Sequence, residues 1–411
     1  MSQLINLPNF LTFFAFAMGA TIGSFLNVCI YRMPLGQSVN DPKRSFCPSC
    51  KYQIPWYHNL PLVTWLILRG KCNNCQSRIS IRYWFVELGT AIVFVVIWRH
   101  FVTVEHILPV GGQVQTGFAY SVIGWPVALC YWLFACGLIV ATFVDFEHKM
   151  IPDEITIGGT VVGILLASIV GWFAIPHLTE LGRDGWMPFA RELGADVPRW
   201  QGAMRSVIGA AVGFGSLYAV VVLGKMAFGR KSTNYDTPQS WEITQEEGAD
   251  NPMLTIGNKK EPWEDVFMVT SEKVKMNTSE VILNGVKSVN VETILECEQV
   301  TIDGKVTPLG ELKTITGTTS NKVYFRDAMG FGDVKFLAMI GAFLGWQAVL
   351  FTIFLGSVAG TLVAVPLRLM GRADWSTKIP FGPYLALGGV VWLFWGTDLM
   401  TWYFGLMQPG S

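Results

Sequence analysis

Charged residues are scarce in this chain. Only 15% of its 411 residues are Asp, Glu, Lys or Arg, and 30 acids balance 30 bases to a net charge of zero. Apolar residues make up 51% of the sequence. Such a composition excludes an ordinary soluble protein and is typical of a protein that crosses a membrane several times. We expect the lipid bilayer as a partner and no nucleic acid.

The uncharged runs have lengths that fit membrane spans. A spanning helix needs about 20 mostly apolar residues, and stretches of this kind lie near residues 9–31, 83–103, 117–144, 154–174, 206–228 and 381–406. A further run, Phe336 to Leu367, has no charge for 32 residues. As one helix it would be about 48 Å long, too long for one crossing. We therefore divide it near Gly345 and predict eight spans.

The first span is followed by a basic loop. The N-terminal stretch lacks a basic segment and a small-residue cleavage site, so we predict a retained helix and not a signal peptide. Between Arg32 and Arg82 the loop has one acid, Asp41, among eight basic residues. Because basic loops stay in the cytoplasm, this loop is predicted to lie inside and both termini outside.

Two aspartates more than 180 residues apart, Asp145 and Asp333, lie where an apolar run meets polar sequence. On the predicted topology both face the cytoplasmic surface, so they could meet at one peptide bond. Carboxyls that share a site repel each other, so one stays protonated and polarises a carbonyl while the other is ionised and activates water. This is the chemistry of an aspartyl protease. The titration belongs to the pair, so we assign neither aspartate a fixed role.

Residues near the pair support it or compete with it. Gly330 and Gly332 let the backbone before Asp333 turn tightly or approach a substrate. Lys335 could offset the charge of the pair, contact substrate or reach the lipid headgroups. Other titratable residues lie close to Asp145: Glu147, Asp153 and Glu154, which are rivals for the catalytic role, and His148, which we interpret as solvated.

Four cysteines have a spacing typical of structural zinc. Cys47 and Cys50 form one Cys-x-x-Cys motif, and Cys72 and Cys75 form a second after 21 residues. Each short turn brings two sulfurs to one metal, and two turns complete a closed tetrahedral site that would fold the loop. A pair of disulfides is the alternative, which a cytoplasmic location disfavours.

A hydrophilic segment, residues 231–325, separates the fifth predicted span from Asp333. Its first part, through about Trp263, is rich in polar and turn-forming residues and is predicted to be a linker with little regular structure. From Val266 onward, short runs of β-forming residues are broken by Asn284-Gly285 and Asp303-Gly304. This pattern predicts hairpins in a small β domain.

The motifs together resemble those of the type IV prepilin peptidases. Gly-Ser-Phe-Leu-Asn-Val-Cys-Ile-Tyr-Arg-Met-Pro, from Gly23 to Pro34, is similar to their N-terminal signature. The four cysteines, the Asp145 turn, Gly-Phe-Gly-Asp-Val-Lys and Ile-Pro-Phe-Gly-Pro-Tyr at 379–384 follow in the family's order. The insert of 231–325 departs from the family pattern, which has a short connection there.

The resemblance implies a GxGD-type aspartyl protease of the bacterial inner membrane with its active site at the cytoplasmic face. Asp145 and Asp333 would be its catalytic pair. Its substrates would be type IV prepilins or type II secretion pseudopilins, which carry a basic leader and a hydrophobic N-terminal helix.

A second activity is implied by the resemblance alone, methylation of the new N-terminus with S-adenosylmethionine. The chain has no Rossmann-type Gly-x-Gly-x-x-Gly unit for that cofactor. Asn27, Arg82 and Glu87 are candidates for this half-reaction. Each is equally well explained as part of a structural ion pair or as a capped polar residue. The alternatives are a peptidase without methyltransferase activity, a zinc-stabilised scaffold, and a proton-coupled transporter, whose acids would lie at the bilayer midplane.

We therefore predict an all-α polytopic membrane protein of about eight transmembrane helices, with a small cytoplasmic zinc-binding loop domain and an inserted cytoplasmic β-rich domain. The predicted boundaries are 1–31 for the first helix, 32–82 for the zinc-binding loop, 83–230 for helices 2–5, 231–325 for the insert and 326–411 for helices 6–8.

Overall fold

The structure is a computed structural model. It describes residues 7–42, 45–47, 49–55, 60–103, 118–170, 199–244, 252–267, 272–311, 315–325, 330–371 and 380–407. The chain divides into two compact units, residues 1–215 with 332–411, and residues 216–331. Long helices make up most of the first unit, and an antiparallel sheet makes up most of the second.

The long helices are rich in apolar residues. A helix bonds its own N–H and C=O groups, which is what the interior of a bilayer requires. The helices are α1 Leu7–Arg32, α2 Val63–Ile67, α3 Arg82–Trp98, α4 Phe118–His148, α5 Asp153–Val170, α6 Arg199–Phe228, α7 Trp263–Val266, α8 Phe331–Leu344, α9 Trp346–Leu369 and α10 Gly382–Met407. α2 and α7 are short, and α7 belongs to the second unit.

By length and composition, five helical segments of the described residues could cross a membrane. They are Phe10–Leu35, Arg82–Val102, Trp125–His148, Gly202–Ala227 and Trp346–Leu369. α5, α8 and α10 occupy the remaining predicted positions but do not meet the same measure, and α8 has only 14 residues. The chain is thus a multi-pass membrane protein, and the count of eight spans stays a prediction.

The long uncharged run is divided at Gly345. α8 ends at Leu344 and α9 begins at Trp346, and between them Gly345 has a φ of 86°. Glycine adopts positive φ at little steric cost. The predicted break at this position is confirmed.

The sheet has eight strands in the order β3-β2-β1-β8-β4-β5-β6-β7. The strands are β1 Arg230–Thr244, β2 Met253–Ile256, β3 Lys259–Pro262, β4 Lys273–Leu283, β5 Val286–Glu296, β6 Gln299–Ile302, β7 Lys305–Pro308 and β8 Ile315–Phe325. Its core is built from buried residues that include Trp241, Leu254, Met276 and Leu295. Asn284-Gly285 and Asp303-Gly304 join paired strands with positive φ at all four residues. Two-residue hairpin turns of this kind need that conformation, so the predicted hairpins are confirmed.

The prediction of an irregular linker through Trp263 is wrong. β1, β2, β3 and the start of α7 occupy most of that segment. β1 is largely polar, but its backbone pairs with β8 and, near its end, with β2. Its Trp241 is only 2% exposed in the core. Strand propensity depends strongly on context, and pairing with a distant strand outweighs the polar local sequence.

The sheet also contains an internal repeat that the sequence analysis missed. Thr-Ile-Gly-Asn-Lys-Lys-Glu-Pro at 255–262 and Thr-Ile-Asp-Gly-Lys-Val-Thr-Pro at 301–308 form equivalent hairpins, β2–β3 and β6–β7, at the two edges of the sheet. Equivalent backbone bonds follow them, Trp263 N–H to Pro252 C=O at 3.1 Å and Leu309 N–H to Glu298 C=O at 2.8 Å. The two edges of the sheet are therefore formed by hairpins of similar sequence and geometry.

Candidate active site

The two predicted aspartates lie at the ends of apolar helices. Asp145 is in the last turn of α4, and Asp333 is in the first turn of α8. The two residues are 5% and 9% exposed, and Asp333 lies within reach of the charge of Asp145. In the described part of the first unit they are the only buried carboxyl groups. The fold thus brings together two groups from distant parts of the sequence.

A tight turn after α4 helps to form this site. Lys149 donates its N–H to the Asp145 carbonyl at 2.9 Å, and its φ of 54° ends the helix. Ile151 follows and is buried. A Cβ added to Gly332 would lie 3.3 Å from the Cβ of Ile151, so a glycine lets the start of α8 approach this turn closely. Gly330 is described but lies outside helices and strands.

The first residue of α10, Gly382, contacts the site directly. Its N–H donates to Asp145 Oδ2 at 2.8 Å in a buried hydrogen bond. A Cβ at this position would lie 2.7 Å from the same oxygen. Asp333 Oδ1, in contrast, is buried and has no hydrogen-bond partner among the described residues. Sequence analysis did not assign Gly382 a role, although this glycine belongs to the Ile-Pro-Phe-Gly-Pro-Tyr motif at 379–384. Ile379 of the same motif lies outside the described residues.

The rival acids near Asp145 differ from it in exposure. Glu147, Asp153, Glu154 and His148 are all exposed. Arg82 of α3 forms an ion pair with Glu147. Lys335 Nζ lies 2.6 and 2.8 Å from the two carboxylate oxygens of Asp153, so this lysine joins α8 to α5. Burial therefore separates Asp145 from its neighbours, which spacing in the sequence could not do.

Small residues hold α8 against α6. A Cβ on Gly209 or Gly213 of α6 would overlap the backbone of Gly341 or Leu337 of α8. Ser206 Oγ also donates to the Ala342 carbonyl at 2.7 Å. Small residues allow this close backbone approach between apolar helices. Because α8 carries Asp333, this contact helps to fix the position of its carboxyl group.

The four cysteines of the first loop form one cluster. The sulfurs of Cys47, Cys50, Cys72 and Cys75 all lie within 4.8 Å of one another, and none of the eight cysteines forms a disulfide. Burial acts to raise the pKa of Cys47, but hydrogen bonds from the Cys50 backbone and the Ser77 hydroxyl lower it to about 6. Thiolates are the form that binds a metal. The cluster could therefore hold a metal ion.

The three candidates for cofactor binding each contact the protein itself. Asn27 Nδ2 donates to the Tyr83 carbonyl at 3.0 Å, and Glu87 accepts the Leu62 N–H at 2.7 Å. Arg82 is the residue paired with Glu147. These contacts fit the structural alternative that the sequence left open for all three residues.

A recess of about 490 Å³ lies between α1 and the first loop. Its lining includes Ser24 and Arg32 of α1 and Asn40 of the loop. Arg32 is 3% exposed, and its Nη1 donates to three loop carbonyls, those of Ser38, Val39 and Pro42, at 3.0 to 3.2 Å. The recess thus has a buried cation in its wall.

Comparison with known proteins gives matches to two family models. Residues 17–101 match the bacterial peptidase A24 N-terminal domain, and residues 299–365 match the type IV leader peptidase family. Full-length relatives named prepilin leader peptidase/N-methyltransferase include one from Pseudomonas putida, 25% identical over 95% of this chain and 93% of the relative. One from Aeromonas hydrophila is 25% identical over 98% of both chains, and one from Myxococcus xanthus is 34% identical over 51% of this chain and 54% of its own length. No solved structure matches the chain.

Proposed function

We propose that this chain is a type IV leader peptidase, a membrane aspartyl endopeptidase and N-methyltransferase of prepilins, on the basis of the family models and full-length relatives that it matches. It removes the basic leader from type IV prepilins or type II secretion pseudopilins and then methylates the new N-terminus. Asp145 and Asp333 are its catalytic pair.

The observation that carries the peptidase proposal is the buried carboxyl pair. Burying carboxyl groups in an apolar setting is costly unless they are neutral or paired, so a fold that buries both of these residues at helix ends is hard to explain by stability. When two carboxyls occupy one site, one stays protonated while the other is ionised, and such a pair can activate water against a peptide bond. The glycines at Gly332 and Gly382 are the residues that make the close approach possible.

We place the site at the cytoplasmic face of the inner membrane. Eight apolar helices occupy the eight predicted positions, and the basic first loop would remain inside. With eight spans, the ends of α4 and the start of α8 face the same side as that loop. A substrate with a basic leader in the cytoplasm and an apolar helix in the bilayer would present its scissile bond at this depth.

The cysteine cluster is proposed to hold a structural Zn²⁺ ion. Four thiolates complete a closed tetrahedral site, which leaves no position for catalysis. Two similar turns, in which Lys51 N–H bonds to the Cys47 carbonyl and Gln76 N–H to the Cys72 carbonyl, already shape the two halves of the site. The ion would therefore hold the loop together next to α1 and α3.

The recess beside α1 is a further candidate position for the methyl donor, in addition to the site near Asn27, Arg82 and Glu87. When bound, S-adenosylmethionine would supply a methyl group to an amine nitrogen. A volume of about 490 Å³ lies in the range of small-molecule pockets. The charge of Arg32, whose Nη1 already donates to three loop carbonyls, would favour the carboxylate of the donor in the recess, and the polar side chains of Ser24 and Asn40 would bind its hydroxyl groups.

The test uses purified full-length enzyme and a prepilin substrate. Asp145→Asn and Asp333→Asn should each leave most of the leader attached on a gel, whereas Glu154→Gln, which changes an exposed acid in the first turn of α5, should cleave normally. A single Asn variant that cleaves at the wild-type rate would refute the pair. Mass spectrometry of the wild-type product made with S-adenosylmethionine shows whether the N-terminus is methylated; an unmethylated product would support a peptidase without the second activity.

A further inference from the structure

The two aspartates have different surroundings. Asp145 accepts a backbone N–H from Gly382 at 2.8 Å, at the first residue of a 26-residue helix. Asp333 Oδ1 is buried and has no hydrogen-bond partner among the described residues. The pair is therefore asymmetric before any substrate binds.

Both carboxyl groups are buried, but of the two only Asp145 has a hydrogen-bond donor among the described residues that stabilises its charged form. A carboxylate that accepts a backbone N–H is stabilised by a charge-assisted hydrogen bond. The donor belongs to the N-terminal end of α10, where the aligned peptide dipoles also favour a negative charge. Both effects act on the same oxygen, Oδ2.

The surroundings of Asp333 favour its protonated form. Its neighbours in α8, Val334, Phe336 and Leu337, are fully buried apolar residues, and a charge among them would lose its hydration. The negative charge of Asp145 nearby adds repulsion. A proton on Asp333 removes both costs and makes the carboxyl group an O–H donor.

We propose that Asp145 is the general base of the pair, that Asp333 is the general acid, and that Gly382 is a positioning residue for Asp145. This assignment rests on the proposed peptidase function. Asp145 takes a proton from water as the water oxygen bonds to the scissile carbonyl carbon, and Asp333 gives its proton to the carbonyl oxygen. The C–N bond then breaks, the proton on Asp145 goes to the leaving amine, and Asp333 recovers a proton from the hydroxyl as the new carboxyl group forms.

Glycine is required at 382 because of this contact. Any side chain would begin with a Cβ 2.7 Å from Asp145 Oδ2 and 3.2 Å from its Cγ, both closer than ordinary contact. The carboxylate would have to move away from the N–H that stabilises it. Gly405 lies in the same helix, and a Cβ there would meet nothing within 4 Å, so it provides a matched control.

The first test measures cleavage by Gly382→Ala and Gly405→Ala over a range of pH. Gly382→Ala should lower kcat on the order of 10-fold, the effect expected for one hydrogen bond to a charged group, with little change in KM. The acid limb of its pH–rate profile should move to higher pH because Asp145 loses the N–H donor that stabilises its charged form, and the alkaline limb should stay in place. Gly405→Ala should behave as wild type. Movement of the alkaline limb alone, or a normal profile for Gly382→Ala, would overturn the assignment.

The second test compares the two Asn variants and does not depend on Gly382→Ala folding. An amide at 333 still donates a hydrogen bond, whereas an amide at 145 cannot accept a proton from water. Asp333→Asn should therefore retain measurable residual cleavage above that of Asp145→Asn, and the reverse order would overturn the roles. If both variants cleave at the wild-type rate, the proposed function itself fails, which is a different outcome from a wrong assignment of roles.

Discussion

Replacing Gly213 of α6 with alanine should impair catalysis without touching the catalytic groups. A Cβ at this position would lie 2.8 Å from the carbonyl carbon of Leu337 in α8, and the carbonyl oxygen is nearer still. A real Cβ atom essentially never lies under 3.0 Å from such an atom, and the Leu337 oxygen would lie at 2.4 Å, so α8 and α6 must move apart by at least 0.6 Å. Asp333 lies one helical turn before Leu337 and would move with it.

A displacement of this size has a calculable effect. A misplacement of about 1 Å can cost on the order of 100-fold in rate, so a shift of 0.6 Å or more should lower cleavage on the order of 10-fold. Overpacking of the helix contact should also destabilise the protein by about 1–3 kcal/mol. Cleavage of a prepilin by purified enzyme and thermal unfolding in the same detergent measure the two effects.

The matched control for this change is Gly215→Ala. Gly215 lies in the same helix, but a Cβ there would meet nothing within 4 Å. Its replacement should leave cleavage unchanged and, because alanine favours a helix by about 1 kcal/mol over glycine, should not lower stability. Equal cleavage rates in Gly213→Ala and Gly215→Ala would show that the contact of α6 with α8 does not position Asp333.

Two further predictions concern the sheet and the cysteine cluster. Burial acts to raise the pKa of Glu261, but hydrogen bonds from two lysines and a tyrosine lower it to about 2. The ionised Glu261 carboxylate therefore stabilises the fold fully above the ordinary pKa of 4.5, and this stabilisation is lost as the pH falls toward 2. Glu261→Gln should lower the free energy of opening that hydrogen exchange measures in β3 and β8, by up to about 3 kcal/mol at pH 7 and by little at pH 2. The exposed Glu292→Gln should leave this free energy unchanged at both pH values. Equal protection of both variants at pH 7 would contradict this prediction. Cys72→Ser should reduce the bound zinc measured on purified protein and destabilise the first loop, whereas Cys297→Ser, outside the cluster, should retain the metal. A full zinc content in Cys72→Ser would exclude the cluster as the site.

Local signals in the sequence predicted the parts of the fold that depend on local physics. Asn284-Gly285 and Asp303-Gly304 mark turns because their backbone must adopt positive φ, which few other residues tolerate. Gly345 marks the break between α8 and α9 because a helix longer than the bilayer must be interrupted. β1 was missed because its stability comes from β8, which lies more than 70 residues later in the chain, and its own polar sequence does not show that partner.

The candidate site was also predictable only where a local signal in the sequence marks it. The positions of Asp145 and Asp333 at the ends of apolar runs singled them out, but three exposed acids stayed as rivals until burial distinguished them. The Gly382 N–H could not be predicted, since a backbone donor has no side-chain signature and lies 237 residues from its acceptor. The asymmetry of the pair depends on that donor, so it is a property of the tertiary structure alone.

The position of the insert directly before Asp333 is explained by the pairing of its first and last strands. β1 and β8 are antiparallel neighbours, and Arg230, near the entry of the insert, pairs with Phe325, at its exit. Paired residues of this kind have Cα atoms about 5 Å apart, so the chain leaves the insert beside the point where it entered. Insertions with adjacent ends are tolerated because they do not separate the elements on either side. The close contact of Gly213 with Leu337, which α6 and α8 need in order to position Asp333, is therefore compatible with a folded domain between them in the sequence.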